Sequence, residues 1–215
     1  MKKIMLLLAC LALCCPVTSA VLHDPSLLLD SELSVSPIQP EPKEKHLKFA
    51  GIPIDGSLQT FGEQMQKKRF RLLYEDNEIL IYRGPHAGKK DCLIYVYAHP
   101  ENGVVYMVGV NYGAEDKWAK LKYRYMQLKT RMTSMFGEPV LCTEVFHTPE
   151  SPRTDSQKMN LIREDKLEYV SGFRTSNGLI SVQIVHSAKV DKDKASVILY
   201  YTDRVNCVDR VPEQP

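Results

Sequence analysis

From Leu47 onward the apolar positions change period twice. Leu58, Phe61 and Met65 recur at helical spacing as far as Lys68, and Ser57 stands where a hydroxyl caps a first turn. Apolar runs bounded by turn residues follow at 70–74, 79–82, 92–98 and 104–112, and each predicts a strand. Trp118, Leu121, Tyr125, Leu128, Met132 and Met135 then step by threes and fours. They predict one apolar stripe on a helix of about twenty residues, which Gly137 and Pro139 end in the expected order. Strand-like runs return at 140–146, 167–174, 179–186 and 195–201, with room for a short helix around 155–163. Asp76-Asn77, Asn102-Gly103 and Asn177-Gly178 separate neighbouring runs. The Asn-Gly pairs predict type I′ hairpin turns.

Strand runs with helices grouped between them indicate the α+β class. The expectation is one antiparallel sheet, or two abutting sheets, with both main helices on one face. The halves, about 47–113 and 114–207, read as duplicated helix-plus-antiparallel-strand units. Asp91, Leu93, Tyr95 and Val96 match Asp165, Leu167, Tyr169 and Val170 as D-x-L-x-Y-V, with an Asn-Gly pair soon after each. Residues 208–215 form a tail.

The N-terminus adds an address. Lys2 and Lys3 precede an apolar stretch from Ile4 to Cys15, which Pro16 breaks and Thr18-Ser19-Ala20 ends with small residues. This is the pattern of a secretory signal peptide over residues 1–20, cut after Ala20. The apolar stretch is too short to span roughly 30 Å of hydrocarbon, and no later run is long enough. Leu7-Leu8-Ala9-Cys10 fits a lipidation signal loosely but leaves an h-region of only six residues, and Cys14 and Cys15 lack a small neighbour, so lipidation is not expected. The exported chain is expected in a periplasmic, secreted or envelope-associated setting. Residues 21–46, with Pro25, Pro37, Pro40 and Pro42, read as a flexible linker.

Composition narrows the function. The formal charge of +2 comes from Lys2 and Lys3, so the remaining chain is neutral. A neutral chain argues against nucleic acid, which needs a basic face. The lysines and arginines of the long helix then read as a solvated face. The six histidines include no HExxH and no zinc-finger spacing, and neither a P-loop nor a dinucleotide fingerprint is present, so no metal or cofactor is expected. His86, His99 and His147 fall near strand ends. Glu144 and Glu168 fall on strands and are candidate paired carboxylates. Cys92, Cys142 and Cys207 are candidate disulfide members: one bridge and a free thiol, in three pairings, or three separate thiols.

Tyrosine is the more informative residue, with 11 against one Trp and six Phe. In the strand at 92–98, Tyr95 and Tyr97 alternate with Ile94 and Val96, so either face offers apolar or aromatic groups. If the repeat governs, the Ile94/Val96 face turns away from the helices; otherwise Tyr95 and Tyr97 do. These four residues are the candidate partner face, unless residues 21–46 or a second copy cover it.

Four segments carry a resemblance: the stretch from Leu47 through Gly51-Ile52-Pro53-Ile54-Asp55-Gly56 to Leu58, the pair Asp91-Cys92, the Trp118 helix ending in Phe136-Gly137-Glu138-Pro139, and Tyr200-Tyr201-Thr202-Asp203. They resemble a group of secreted proteins of Bacteroides-type gut bacteria, over most of 47–207; that resemblance implies no activity and no site residues. The layout is also similar, at fold level, to beta-lactamase-inhibitor-protein-like folds, which implies binding of protein partners across a sheet. The function expected is a non-catalytic exported module that binds a protein. A glycan is disfavoured by the scarcity of Trp. The alternative is a small hydrolase with a site near Cys92, His99 and the 148–165 loop.

Overall fold

The computed structural model describes residues 45–186 and 193–207. The expected signal peptide, nearly all of the linker and the tail lie outside the described residues. The fold is α+β, and its sheet is antiparallel throughout. A small hairpin, β1 (Lys48–Phe49) and β2 (Ile52–Pro53), leads into helix α1 (Leu58–Lys67). Ser57 caps α1, its Oγ accepting from the Thr60 amide at 3.2 Å. Four strands follow: β3 (Arg71–Glu75), β4 (Ile79–His86), β5 (Lys89–Ala98) and β6 (Val105–Glu115). Helix α2 (Trp118–Phe136) opens the second half. Then come β7 (Leu141–Phe146), α3 (Asp155–Arg163), β8 (Leu167–Arg174), β9 (Gly178–His186) and β10 (Ala195–Asp203), with one turn of helix, α4 (Arg204–Cys207), after it.

The strands form one eight-stranded sheet in the order β3-β4-β5-β6-β10-β9-β8-β7. Each half contributes four consecutive strands, and the last strand of each, β6 and β10, pair at the centre. Residues directly opposite on paired strands share a face, so the register assigns both faces. Tyr82 faces Ile94, Ile94 faces Val110, Val110 faces Leu199, Leu199 faces Val182, and Val182 faces Ser171. This is the helix side. Phe61 and Met65 of α1, and Trp118, Leu121, Tyr125, Leu128 and Met132 of α2, bury against it in one continuous core. Both main helices therefore lie on one face, as the patterning predicts.

Trp118 is 4% exposed and packs edge-on against Tyr169 and Phe146, at 5.0 and 5.1 Å between ring centres. Met135 departs from the predicted stripe. It is 59% exposed, because the stripe runs off the sheet before the helix ends and Phe136 takes the inward place. Gly137 ends the helix with φ +82, and its amide donates to Thr133.

Two turn expectations need correction. Neither Asn102 nor Asn177 takes a positive φ, and at the two Asn-Gly pairs only Gly103 does. Residues 99–104 form a longer loop in which the Asn102 side chain accepts from the Val104 amide. At the second pair the two-residue turn is Ser176-Asn177, and Gly178 starts β9. Glycine is required there for space: a Cβ would stand 2.1 Å from the Thr202 carbonyl oxygen. Two turns do take two left-handed residues: Ala50-Gly51, with φ +48 and +78, which joins β1 to β2, and Ala87-Gly88, with φ +49 and +87, which joins β4 to β5.

The D-x-L-x-Y-V match also fails to superpose. It aligns β5, third strand of its half, with β8, second strand of its half. Leu93 and Tyr95 face away from the helices, whereas Leu167 and Tyr169 face them. The recurring feature is the helix followed by four strands, and those six residues do not mark it.

Candidate interaction face

The register settles which side of β5 is free. Ile94 and Val96 are fully buried beneath the helices, so they leave the candidate face. Tyr95 and Tyr97 point the other way and remain partly exposed, stacked on one another at 6.3 Å and 27°. Strand pairing brings Ile79 and Ile81 of β4, Met107, Gly109 and Asn111 of β6, and Ile198 and Tyr200 of β10 onto the same side. Tyr74 of the edge strand β3 joins them, opposite Ile81 and half exposed.

Gly109 makes this surface flat. It pairs with Tyr95 on one flank and Tyr200 on the other. A Cβ there would meet the Tyr200 ring at 3.0 Å, tighter than ordinary contact, so glycine gives that ring room to lie across the strand. Met107 and Ile198 on this side are only 2% and 7% exposed. Burial raises all three phenols, Tyr200 to about 12, with neighbouring tyrosines adding to the effect on Tyr97 and Tyr200. They stay neutral at physiological pH and offer apolar ring area with a hydroxyl at the tip, the combination that recurs at binding surfaces. Asn111 holds the Tyr95 hydroxyl. Toward β8 and β7 the face carries polar or small groups at Ser181, Gln183, Gly172 and Thr143, with the apolar Leu141 and Val145 exposed on the edge strand.

The helix side carries the titratable clusters, and each is tied into the fold. His86 lies between two tyrosines: Nδ1 contacts the Tyr112 hydroxyl at 2.5 Å and Nε2 the Tyr201 hydroxyl at 3.1 Å. Phe49 stacks on the imidazole. Burial, with the Arg131 charge adding to it, pushes His86 down to about 4, so it is neutral at ordinary pH. Asp203, fully buried, accepts from the Leu47 amide at 2.7 Å and the Asn206 amide at 2.9 Å, and holds His46 at 3.3 Å. The other His46 nitrogen meets Asp55 at 3.4 Å. A cleft of about 360 Å³ opens beside it, between the end of α2 and the Thr175–Asn177 turn.

On the edge strand β7, Glu144 takes hydrogen bonds from Lys129 and from Tyr125, whose hydroxyl also contacts Ser171 at 2.6 Å. Burial raises the carboxyl, but Lys129 together with the Tyr125 and Cys142 hydrogen bonds outweighs it and holds Glu144 below the usual range. The Lys129 ammonium also reaches the exposed Cys142 thiol at 3.1 Å.

The residues expected for chemistry do not converge. Glu144 faces the helices; Glu168 lies on the opposite face and pairs with His147 at 3.1 Å. Cys92 is buried under the helices, and burial raises its thiol. His99 lies seven residues on along the same chain, roughly 23 Å at strand rise, and accepts from the Glu101 amide. The 148–165 loop belongs to the far edge, between β7 and β8. His86, His99 and His147 sit at separate strand ends. Cys92, Cys142 and Cys207 form no disulfide with one another. Among the described residues no group of three or more His, Cys, Asp or Glu could hold a metal, and no helix is long and apolar enough to cross a membrane. Sequence reasoning missed the Tyr200, Gly109 and Met107 part of the face, which only strand pairing assembles. No protein-family model, no curated protein and no solved structure matches the chain.

Proposed function

We propose that this chain is an exported, non-catalytic binding module that engages a protein partner across the tyrosine-bearing face of its sheet. One observation carries the reading. The helices cover one side of an eight-stranded sheet, and the other side presents Tyr95, Tyr97 and Tyr200 over a glycine-flattened strand pair. Large rings with few rotatable bonds give contact area at small entropic cost. The scarcity of Trp and the neutral charge favour a protein over a glycan or nucleic acid. The signal-peptide pattern supports export, and the repeated helix-plus-four-strand order supports an origin by duplication.

The test is a pair of variants in the native host. Tyr95→Ala and Tyr200→Ala are each expected to lose a co-purifying partner, by about tenfold or more for a hot-spot aromatic. Tyr123→Ala, on the exposed side of α2, is expected to retain it. Equal retention by all three would refute the face as the binding surface.

A further inference from the structure

The two edges of the sheet differ. β3 is interrupted by a bulge between Leu72 and Tyr74, and Arg71 stands opposite Arg83, both devices that discourage strand addition. β7 has neither. Its register with β8 runs unbroken from Leu141 to Phe146, and its one charge, Glu144, is neutralised by Lys129 of the same copy. Exposed apolar side chains gather there: Val140 is 57% exposed, Leu141 and Val145 each 41%.

The order of residues along this edge is nearly palindromic. About Thr143, Leu141 mirrors Val145 and Val140 mirrors Phe146. We infer that two copies of this chain pair antiparallel through β7, with Thr143 opposite Thr143 of the second copy on the twofold axis. Leu141 then faces Val145, so apolar meets apolar on the free face of the sheet, and Val140, whose amide donates inward to Gly172, stands just before the ladder. Cys142 faces Glu144, and no two carboxylates stand directly opposite.

The backbone is phased for the same register. The His147 amide donates to Lys166 of β8, so the odd-numbered residues of β7 bond inward. Those at 142 and 144 point outward, and this register sets them opposite one another, forming about four ladder hydrogen bonds between copies. A register centred on Glu144 would set two carboxylates face to face. One centred on Cys142 would set Leu141 against Thr143 and leave Val145 unmatched. The sheet becomes continuous across the axis, and the tyrosine faces of both copies lie on one side. An isologous contact of this kind closes on itself and leaves no unprotected β7 edge.

The experiment is analytical ultracentrifugation of the purified protein, combined with disulfide trapping. We expect a concentration-dependent dimer between about 1 and 100 μM, as for a small edge-to-edge interface. Val145→Lys is expected to leave a monomer with the same Trp118 fluorescence as the parent. Thr143→Cys in a Cys142→Ser background is expected to crosslink readily, because directly opposed non-hydrogen-bonded residues lie about 4.5 Å apart at Cα. Cys142 in the parent is expected to crosslink poorly, since its counterpart sits two residues out of line. A monomer at every concentration would overturn the inference, and so would a dimer that Val145→Lys leaves intact. Trapping through Cys142 in preference to Thr143→Cys would overturn the register.

Discussion

His86 shows how one residue couples burial to acid sensitivity. Neutral imidazole has one donor and one acceptor nitrogen, which suits two hydroxyl partners, Tyr112 and Tyr201. In the unfolded chain this histidine protonates near its ordinary value of 6.5; in the fold it resists until about 4. Between those values the unfolded state binds more protons, so falling pH favours unfolding. The contribution is complete above 6.5 and gone below about 4. It amounts to about 3 kcal/mol. We therefore expect urea unfolding at pH 7, 5 and 4 to show a decline that His86→Gln makes shallower. An identical decline in the variant would place the acid sensitivity elsewhere, with Glu144 the next group to examine, since its depressed carboxyl also loses stabilisation at low pH.

At the scale of elements the patterning was nearly sufficient. Both main helices, the short helix at 155–163 and all eight long strands stand where the apolar periods place them. Strong alternation, or a stripe at steps of three and four, is a local signal that tertiary context seldom overrides. Trp118 is the clearest instance, because a large ring heading an apolar stripe has one place to go. We expect Trp118→Ala to lose about 3–5 kcal/mol of stability, and native tryptophan emission to be blue-shifted from that of free indole. A neutral substitution with water-like emission would remove Trp118 from the core. The turns were less legible. Ala50-Gly51 and Ala87-Gly88 carry no Asn or Asp, yet each takes two left-handed positions at a two-residue hairpin connection. The Asn-Gly pairs have the stronger turn signal and serve other ends: Asn177 donates to the His46 carbonyl, and Gly178 makes room for Thr202.

For the whole molecule, the harder question was which way each strand faces. β5 is apolar on one side and aromatic on the other, and a period of two cannot say which side meets a helix. The D-x-L-x-Y-V match pointed to the wrong side because it compared strands at different places in the sheet order. Pairing resolves this: Ile94 lies between Tyr82 and Val110 in the core, and Tyr95 pairs with Gly109 on the free face. The tyrosine-bearing face is therefore a property of the assembled sheet, drawn from β3, β4, β5, β6 and β10, and no single segment displays it. In the proposed mode of binding, partners meet the sheet and not the helices. A photo-crosslinking side chain at Thr202, on the free face of β10 beside Met107, probes this directly. The same probe at Lys122, exposed on α2, is the control. In the native host we expect a discrete heavier adduct from position 202 and none from position 122. The same adduct from position 122 alone would contradict the account and move the binding surface to the helices.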